Sequence, residues 1–233
     1  MKYILSEKYK QFENKIMGPN PIKLAEELML DSKLKSGETV LDLGSGQGLT
    51  SVFLAKEYGY KVYAADLWSD PKENQKFFDE AKATVVAVKA DANSLPFEKE
   101  YFDGMVCIDS YNYFGRDKSF LDEKLLPYIK SGGYIYLAIA GMVKDCHDNL
   151  PPELLLSWNE EQLEYMHDLD YWKDIVSASI DSEIVEAKVM ESNDEVWADW
   201  LRQDNEYAIG DRKSMEAGGG KYLNFIKIVL RKK

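Results

Sequence analysis

Two histidines, His147 and His167, and two cysteines, Cys107 and Cys146, are all this 233-residue chain offers for soft metal ligation or disulfide chemistry. Two thiols are too few for a disulfide framework, and they lack the clustering of a zinc site. A metal on Cys146 and His147 would need Asp145 or Asp148 to complete it. No metal is expected, and two reduced thiols in a cytoplasmic protein account for the cysteines more simply. Long apolar runs are also missing. The longest, Tyr134 to Val143, is too short to cross a bilayer. Met1 to Leu5 passes at once into Ser6-Glu7-Lys8, so no signal-peptide core is expected. Basic residues are in deficit, with 29 Lys and Arg against 41 Asp and Glu and a formal net charge of −12. A partner held through its phosphates needs a basic surface, which argues against nucleic acid.

What is present suffices for a core. Hydrophobic residues make up 45 % and charged residues 30 %, which suits one domain, residues 1–233, with a modest insert. The acid is concentrated: between Asp145 and Asp199 sixteen acidic residues face only Lys173 and Lys188. Asn20-Pro21 predicts a helix start, with Ile22, Ala25, Leu28 and Met29 at helical spacing up to Gly37. Apolar runs at 39–43, 61–65, 85–89, 104–108 and 134–139 predict strands. Helices are predicted between them over 50–58, from Asp70-Pro71 onward, and over about 117–130, the last stopped by Gly132-Gly133. That alternation predicts a parallel sheet covered by helices. Beyond it the sequence predicts acidic helical structure over 151–179, a strand over 184–190, a helix over 194–207 and a closing strand over 222–230. Gly218-Gly219-Gly220 would be a mobile link into that strand. Residues 144–180 are expected to form an α-helical cap insert.

Gly44-Ser45-Gly46-Gln47-Gly48 lies between the first strand and the next helix. Glycines there allow positive φ and bring the backbone close to a ligand, beside a helix N-terminus. The turn departs from the dinucleotide pattern G-x-G-x-x-G, because Leu49 stands where the last glycine would, and Asp42 would repel a pyrophosphate. Three further stations follow in order: Val62-Tyr63-Ala64-Ala65-Asp66-Leu67, then Asp91-Ala92 with Leu95-Pro96-Phe97, then Tyr101-Phe102-Asp103-Gly104-Met105-Val106-Cys107. With Val40 to Gly48 as the first, the chain from about 18 to 143 resembles the class I S-adenosylmethionine-dependent methyltransferases. It is most similar to bacterial small-molecule enzymes related to quinone-biosynthesis and cyclopropane-fatty-acid-synthase-type methyltransferases. The resemblance implies a Rossmann-like, doubly wound α/β sheet of about seven strands, mostly parallel with an antiparallel C-terminal strand. It also implies S-adenosyl-L-methionine as cofactor and in-line transfer of its methyl to a small-molecule acceptor. The cofactor-binding residues it implies are Asp42, Gly44, Ser45, Gly46 and Gly48 at the methionine end, Asp66 and Leu67 at the ribose and ring, Asp91 and Ala92 at the adenine edge, and Cys107 and Ile108 along the fourth strand. A carboxylate suits a ribose diol because it accepts two hydrogen bonds side by side.

On the acceptor side the resemblance puts Asp109, Tyr111, Asn112, Tyr113 and Phe114 at the floor and Tyr9, Phe12, Met17 and Met142 in the walls. Asp109, Tyr111 and His147 are the candidate catalytic residues. Asp109 would orient the acceptor or move a proton, or else cap a turn; Tyr111 would line the pocket or pack; His147 would be a general base or an exposed loop residue. Trp158, Trp172, Trp197 and Trp200 lie amid the acidic sequence. They would make a lid for a cationic or amine acceptor, or the inward faces of amphipathic helices. The Asn-Pro-Pro-aromatic signature of amino-methylating nucleic-acid enzymes is missing, with Asp109-Ser110-Tyr111-Asn112 in its place. A protein or tRNA methyltransferase and a non-catalytic S-adenosylmethionine-binding protein stand as alternatives. Monomer and homodimer are both open.

Overall fold

Side chains alternate along each apolar run, so every strand can feed two cores at once. In the computed structural model, which describes residues 3–233, the strands are β1 Thr39–Leu43, β2 Lys61–Asp66, β3 Val85–Lys89, β4 Phe102–Ile108, β5 Ile129–Met142, β6 Ser182–Val189 and β7 Leu223–Lys232. They form one sheet in the order β3-β2-β1-β4-β5-β7-β6. The pairs β1–β2, β2–β3, β1–β4 and β4–β5 are parallel, while β7 is antiparallel to both β5 and β6. The sheet is therefore mostly parallel with an antiparallel C-terminal strand, as the sequence implied. The helices are α1 Pro21–Leu28, α2 Leu49–Glu57, α3 Pro71–Glu80, α4 Tyr111–Phe114, α5 Glu160–Leu163, α6 Leu169–Ser177, α7 Asn193–Leu201 and α8 Glu206–Glu216. Val40, Val62, Val106 and Ile108 pack on the side of α1 and α2. Leu41, Ala65, Met105 and Cys107 pack on the other side, against Trp172, Ile175 and Val176 of α6.

Helix α1 starts where predicted: the Asn20 side chain accepts from the N–H groups of Ile22 and Lys23, with Pro21 next. It stops at Leu28, well short of Gly37, because side chains take over the donors a longer helix would have used. Tyr136 accepts from the Lys33 N–H at 2.9 Å and Ser32 from the Leu34 N–H at 3.2 Å. The helix expected over 117–130 is instead a π-helical turn, Leu121–Leu125, and a 3-10 turn, Leu126–Tyr128. Pro127 supplies no N–H for a continuing helix, and β5 begins already at Ile129. Gly132-Gly133, expected to end that helix, lies inside β5, where the register shifts between Phe102 and Gly104. A Cβ on Gly133 would stand 2.7 Å from the Asp103 carbonyl, so the bulge needs glycine.

The sequence between β6 and β7 holds two helices rather than one. Arg212 donates to the carbonyls of Leu201 and Gln203, both at 2.8 Å, and so closes α7. Asn205 then caps α8 by accepting from the Ala208 N–H at 3.0 Å. The triple glycine enters a 3-10 turn, Gly219–Tyr222, with Gly219 buried. Segment 144–180 divides between the two faces: Leu154, Trp158 and Leu163 join the core on the α1–α2 side, whereas α6 packs beneath the opposite face.

Candidate active site

The C-terminal edges of β1, β2 and β4 open into a cleft of about 630 Å³, the position where doubly wound sheets bind their ligands. β1 enters the glycine turn, and Gly44, Gly46 and Gly48 all take positive φ, +74°, +52° and +78°. A Cβ on Gly44 would collide with the Ser110 hydroxyl, and one on Gly48 with the Phe78 ring. Neighbouring elements clamp the turn in place. The N–H groups of Gly44 and Ser45 donate to the Ala65 carbonyl at 2.8 and 3.2 Å. Gly46 donates to Asp66 Oδ2 at 2.9 Å, while Asn74 Nδ2 donates to the Gly46 carbonyl at 2.8 Å. Ser45 Oγ, on the cleft wall, is buried without a hydrogen-bond partner among the described residues.

Asp66 ends β2 at the cleft edge, and its Oδ1 accepts from the N–H groups of Trp68 at 2.8 Å and Ser69 at 2.7 Å. These bonds fold the next residues into a rim that leaves Trp68 86 % exposed beside Leu67. Asp91 and Ala92 form the adjoining wall. Asp91 Oδ1 accepts from the Asn93 backbone and side chain at 2.8 and 2.9 Å, which holds the carboxyl below its usual range and leaves Oδ2 for another donor. Ile108 lines the cleft too, as do Lys15, Met17 and Gly18 of the N-terminal segment. Lys15 Nζ lies 4.2 Å above the Phe77 ring.

Asp109 takes φ +54°, an arrangement Asp tolerates better than most residues. Its Oδ2 lies 2.7 Å from where a Cβ on Gly18 would stand. No hydrogen bond reaches its carboxylate among the described residues. Burial pushes the Asp109 carboxyl up to about 7, and the charge of Asp211 on α8 adds to the effect. Asp211 is itself raised by burial, although Trp200 Nε1 donates to it at 2.8 Å. Tyr113, also in the lining, is 62 % exposed, and its phenol is raised by partial desolvation and then by the charge of Asp109. Tyr165 packs on Tyr113, ring centroids 5.4 Å apart.

The structure thus brings Gly44, Ser45, Gly46, Asp66, Leu67, Asp91, Ala92, Ile108 and Asp109 around one cleft. Five of the expected cofactor-binding and catalytic residues do not line it, nor does Asn112, expected at the floor and instead buried. Asp42 is buried beneath the turn, where Thr50 and Ser51 donate to its Oδ2 at 2.8 and 2.5 Å, and burial raises it to about 6. Gly48 is the hinge into α2, filled against Phe78. Cys107 alternates with Ile108 and faces the other core, its thiol pushed up to about 12 by burial. Tyr111 is fully buried against Trp172 and Phe114, its hydroxyl unpartnered among the described residues and its pKa raised by burial. His147 stands apart in a cluster with Asp145 and His167. Of the expected walls, Tyr9 and Met142 are buried in the α1–α2 core and Phe12 packs against it, which leaves Met17.

Sequence reasoning missed Asp211, Lys15 and Asn93. The Asn205 cap would have announced α8 and hence Asp211; Lys15 and Asn93 gave no signal. The four late tryptophans are all buried, Trp172 beneath the sheet and Trp158 beside Trp197, so none offers a free ring to a ligand. The exposed rings at the cleft are Trp68 and Tyr113.

Residues 41–137 match the methyltransferase domain family. The chain is 28 % identical over 172 residues to 2-methyl-6-phytyl-1,4-hydroquinone methyltransferase from Synechocystis sp., covering 72 % of this chain and 51 % of that protein. It is 32 % identical over 117 residues to demethylmenaquinone methyltransferase from Clavibacter sepedonicus, covering 50 % of this chain and 44 % of the relative. The matched stretches thus span about half the length of these curated relatives. Among solved structures, phosphoethanolamine N-methyltransferase 2 from Haemonchus contortus superposes with a TM-score of 0.75 at 17 % identity, over 100 % of this chain and 57 % of its own. Geranyl diphosphate C-methyltransferase from Streptomyces coelicolor gives 0.70 at 15 %, over 90 % and 78 %. At such identities the likeness is one of fold. Residues 41–137 are thus similar to the methyltransferase domain family, in a chain whose sheet has the Rossmann-like fold that these solved structures share.

Proposed function

We propose that this chain is an S-adenosylmethionine-dependent methyltransferase acting on a small-molecule acceptor. The observation that carries the reading is the glycine turn at the head of β1, hydrogen-bonded to the Asp66 carboxylate that ends β2, with Asp91 on the next strand end of the same cleft. The residues present fit the cofactor: the turn leaves no room for a Cβ at Gly44, and the buried Ser45 hydroxyl lacks a partner among the described residues. Asp66 would accept from the ribose hydroxyls, sharing a carboxylate that already takes three backbone donors. Asp91 Oδ2 and Ala92 would meet the adenine edge, with Leu67 and Trp68 against its faces. Gly44 to Gly46 would face the methionine end, and Asp42 would act through the turn by fixing Thr50 and Ser51. When bound, S-adenosylmethionine supplies an electrophilic methyl on a sulfonium that makes a good leaving group. The protein's own task is to align the acceptor and to manage its proton.

For the acceptor we favour a small basic or cationic amine. Asp109 has no hydrogen-bond donor among the described residues and the Asp211 charge acts on it, so a positively charged group would relieve both carboxylates. Asp109, ionised above about 7, would also take the proton an amine gives up. The curated relatives are named for hydroquinone and demethylmenaquinone substrates, so such quinols belong in the same acceptor panel. The cap over this end would comprise 143–168 with α7 and α8. Two free thiols suit a reducing cytoplasm, and among the described residues no helix is long and apolar enough to cross a membrane.

The test is thermal shift with S-adenosylmethionine, S-adenosylhomocysteine and NAD, followed by S-adenosylhomocysteine release against amine and hydroquinone panels. The first two ligands are expected to raise Tm and NAD to leave it unchanged. Asp66→Ala is expected to abolish the rise in a chain that still melts cooperatively, at a lower unliganded Tm because three backbone donors lose their acceptor. A Tm rise with NAD alone would overturn the cofactor assignment, and binding without turnover of any acceptor would leave a binding protein. Turnover of hydroquinones alone would remove the amine and keep the methyl transfer.

A further inference from the structure

The chain's only two histidines, twenty residues apart, meet at one carboxylate. Strand β5 ends at Met142, whose N–H donates to the His167 carbonyl at 3.0 Å; this bridge carries His167 back beside the loop that holds Asp145 and His147. Asp145 Oδ1 lies 2.6 Å from His147 Nδ1, and Oδ2 lies 2.7 Å from His167 Nδ1. The ligating atoms of all three residues fall within 4.8 Å of one another.

The outer contacts give this cluster its meaning. His147 Nε2 lies 3.1 Å from the Leu163 carbonyl, and a carbonyl only accepts, so the ring proton belongs on Nε2. Nδ1 then meets the Asp145 carboxylate either through a second ring proton, as an imidazolium, or through another cation in that proton's place. A backbone carbonyl on the far nitrogen is the partner that metal-ligating imidazoles commonly have. The Asp145 N–H donates to Asp168 Oδ2 at 3.1 Å, and His167 is buried in a stack on Tyr171, centroids 3.6 Å apart. Both fix the donors in place.

We propose that Asp145, His147 and His167 form a binding site for one divalent first-row transition-metal ion, which ties the 143–168 segment to the end of β5. Two imidazole nitrogens and one carboxylate oxygen suit zinc, cobalt or nickel rather than magnesium or calcium, and leave at least one position for water. The bridging hydrogen bonds open, Nδ1 of each ring and the carboxylate turn to the ion, and any proton on either Nδ1 leaves to solvent. The consequence reaches the cleft. Leu163, held by His147, and Tyr165, packed on the cleft residue Tyr113, belong to the same short segment, so the ion would order that wall. The site is independent of the methyl-transfer assignment.

The test uses the untagged full chain, stripped with a chelator and titrated with Zn²⁺ by calorimetry and with Co²⁺ by visible absorption. One equivalent per chain and a higher Tm are expected, unchanged in Cys146→Ser. Affinity should fall more than about tenfold in both Asp145→Asn and His147→Gln, each first shown by its melting transition to be folded. No saturable binding, binding that survives both ligand variants, or binding lost with Cys146→Ser would overturn the site. A metal-free chain whose Tm responds to pH and not to Zn²⁺ would overturn it too, and would assign the cation at Asp145 to a proton.

Discussion

Burial raises the Asp109 carboxyl to about 7, whereas an unfolded aspartate titrates near ~3.9. Between those values the folded chain holds a proton that the unfolded chain has released. The contribution of Asp109 to stability therefore falls as pH rises through that window and is level above about 7. Asp109→Asn keeps a residue that tolerates the positive φ and removes the buried charge. It is expected to raise Tm at pH 8 and to leave it near the parent at pH 4, as scanning fluorimetry would show. In the proposed reaction the parent's rate with an amine rises through about pH 7, and the Asn variant loses that rise together with most of its rate. A variant less stable than the parent at pH 8 would mean that the carboxylate has a favourable partner in the fold. At this scale the strand-end carboxylates were legible, because motif order alone puts Asp66, Asp91 and Asp109 at the head of the sheet. What Asp42 and Cys107 touch was not. Asp42 is taken up by hydroxyls eight and nine residues further on, on α2, and strand alternation sends Cys107 to the opposite core.

Asn20 is where one element decides the place of another. Its Oδ1 caps α1, its Nδ2 donates to Asp199 Oδ2 at 2.7 Å, and its N–H donates to the Val196 carbonyl at 3.1 Å, so α1 and α7 are tied at one residue. Glu27 on α1 repeats the tie by accepting from the N–H groups of Glu191 and Ser192 at 2.7 and 2.8 Å, just before α7. Asn20→Ala removes a cap of about 1 kcal/mol and a buried side-chain bond of similar size. A loss of about 2 kcal/mol is expected, with Tm lower by roughly 4–8 °C in a chain of this length. A chemical-denaturation loss below about 0.5 kcal/mol would show that Glu27 alone fixes α7. The start of α1 was legible because its cap and proline are neighbours in sequence. Its early end was not, because the groups that end it include Tyr136, more than a hundred residues away. The break between α7 and α8 had a local sign in Asn205, but the Arg212 side chain that closes α7 comes from the following helix.

Across the whole molecule, the alternation of strands and helices through residue 142 made the parallel sheet legible, while the cap around the cleft depends on contacts between distant segments. Charge follows the same division. The acids of 145–199 are concentrated in sequence, and the tryptophans among them are buried, so the aromatic rings serve packing and any pull on a ligand is Coulombic. Long-range attraction of that kind fades as the screening length falls from ~10 Å at about 0.1 M salt to ~3 Å at about 1 M. If the acceptor is a cationic amine, its KM is expected to rise several-fold over that range, because the field that gathers it weakens. Binding of S-adenosylhomocysteine, whose net charge is zero, should stay level and so rules out a general effect of salt on the fold. An amine KM indifferent to ionic strength in the parent would reduce the acidic segment to solvated helix faces and leave acceptor recognition to short-range contacts at Asp109.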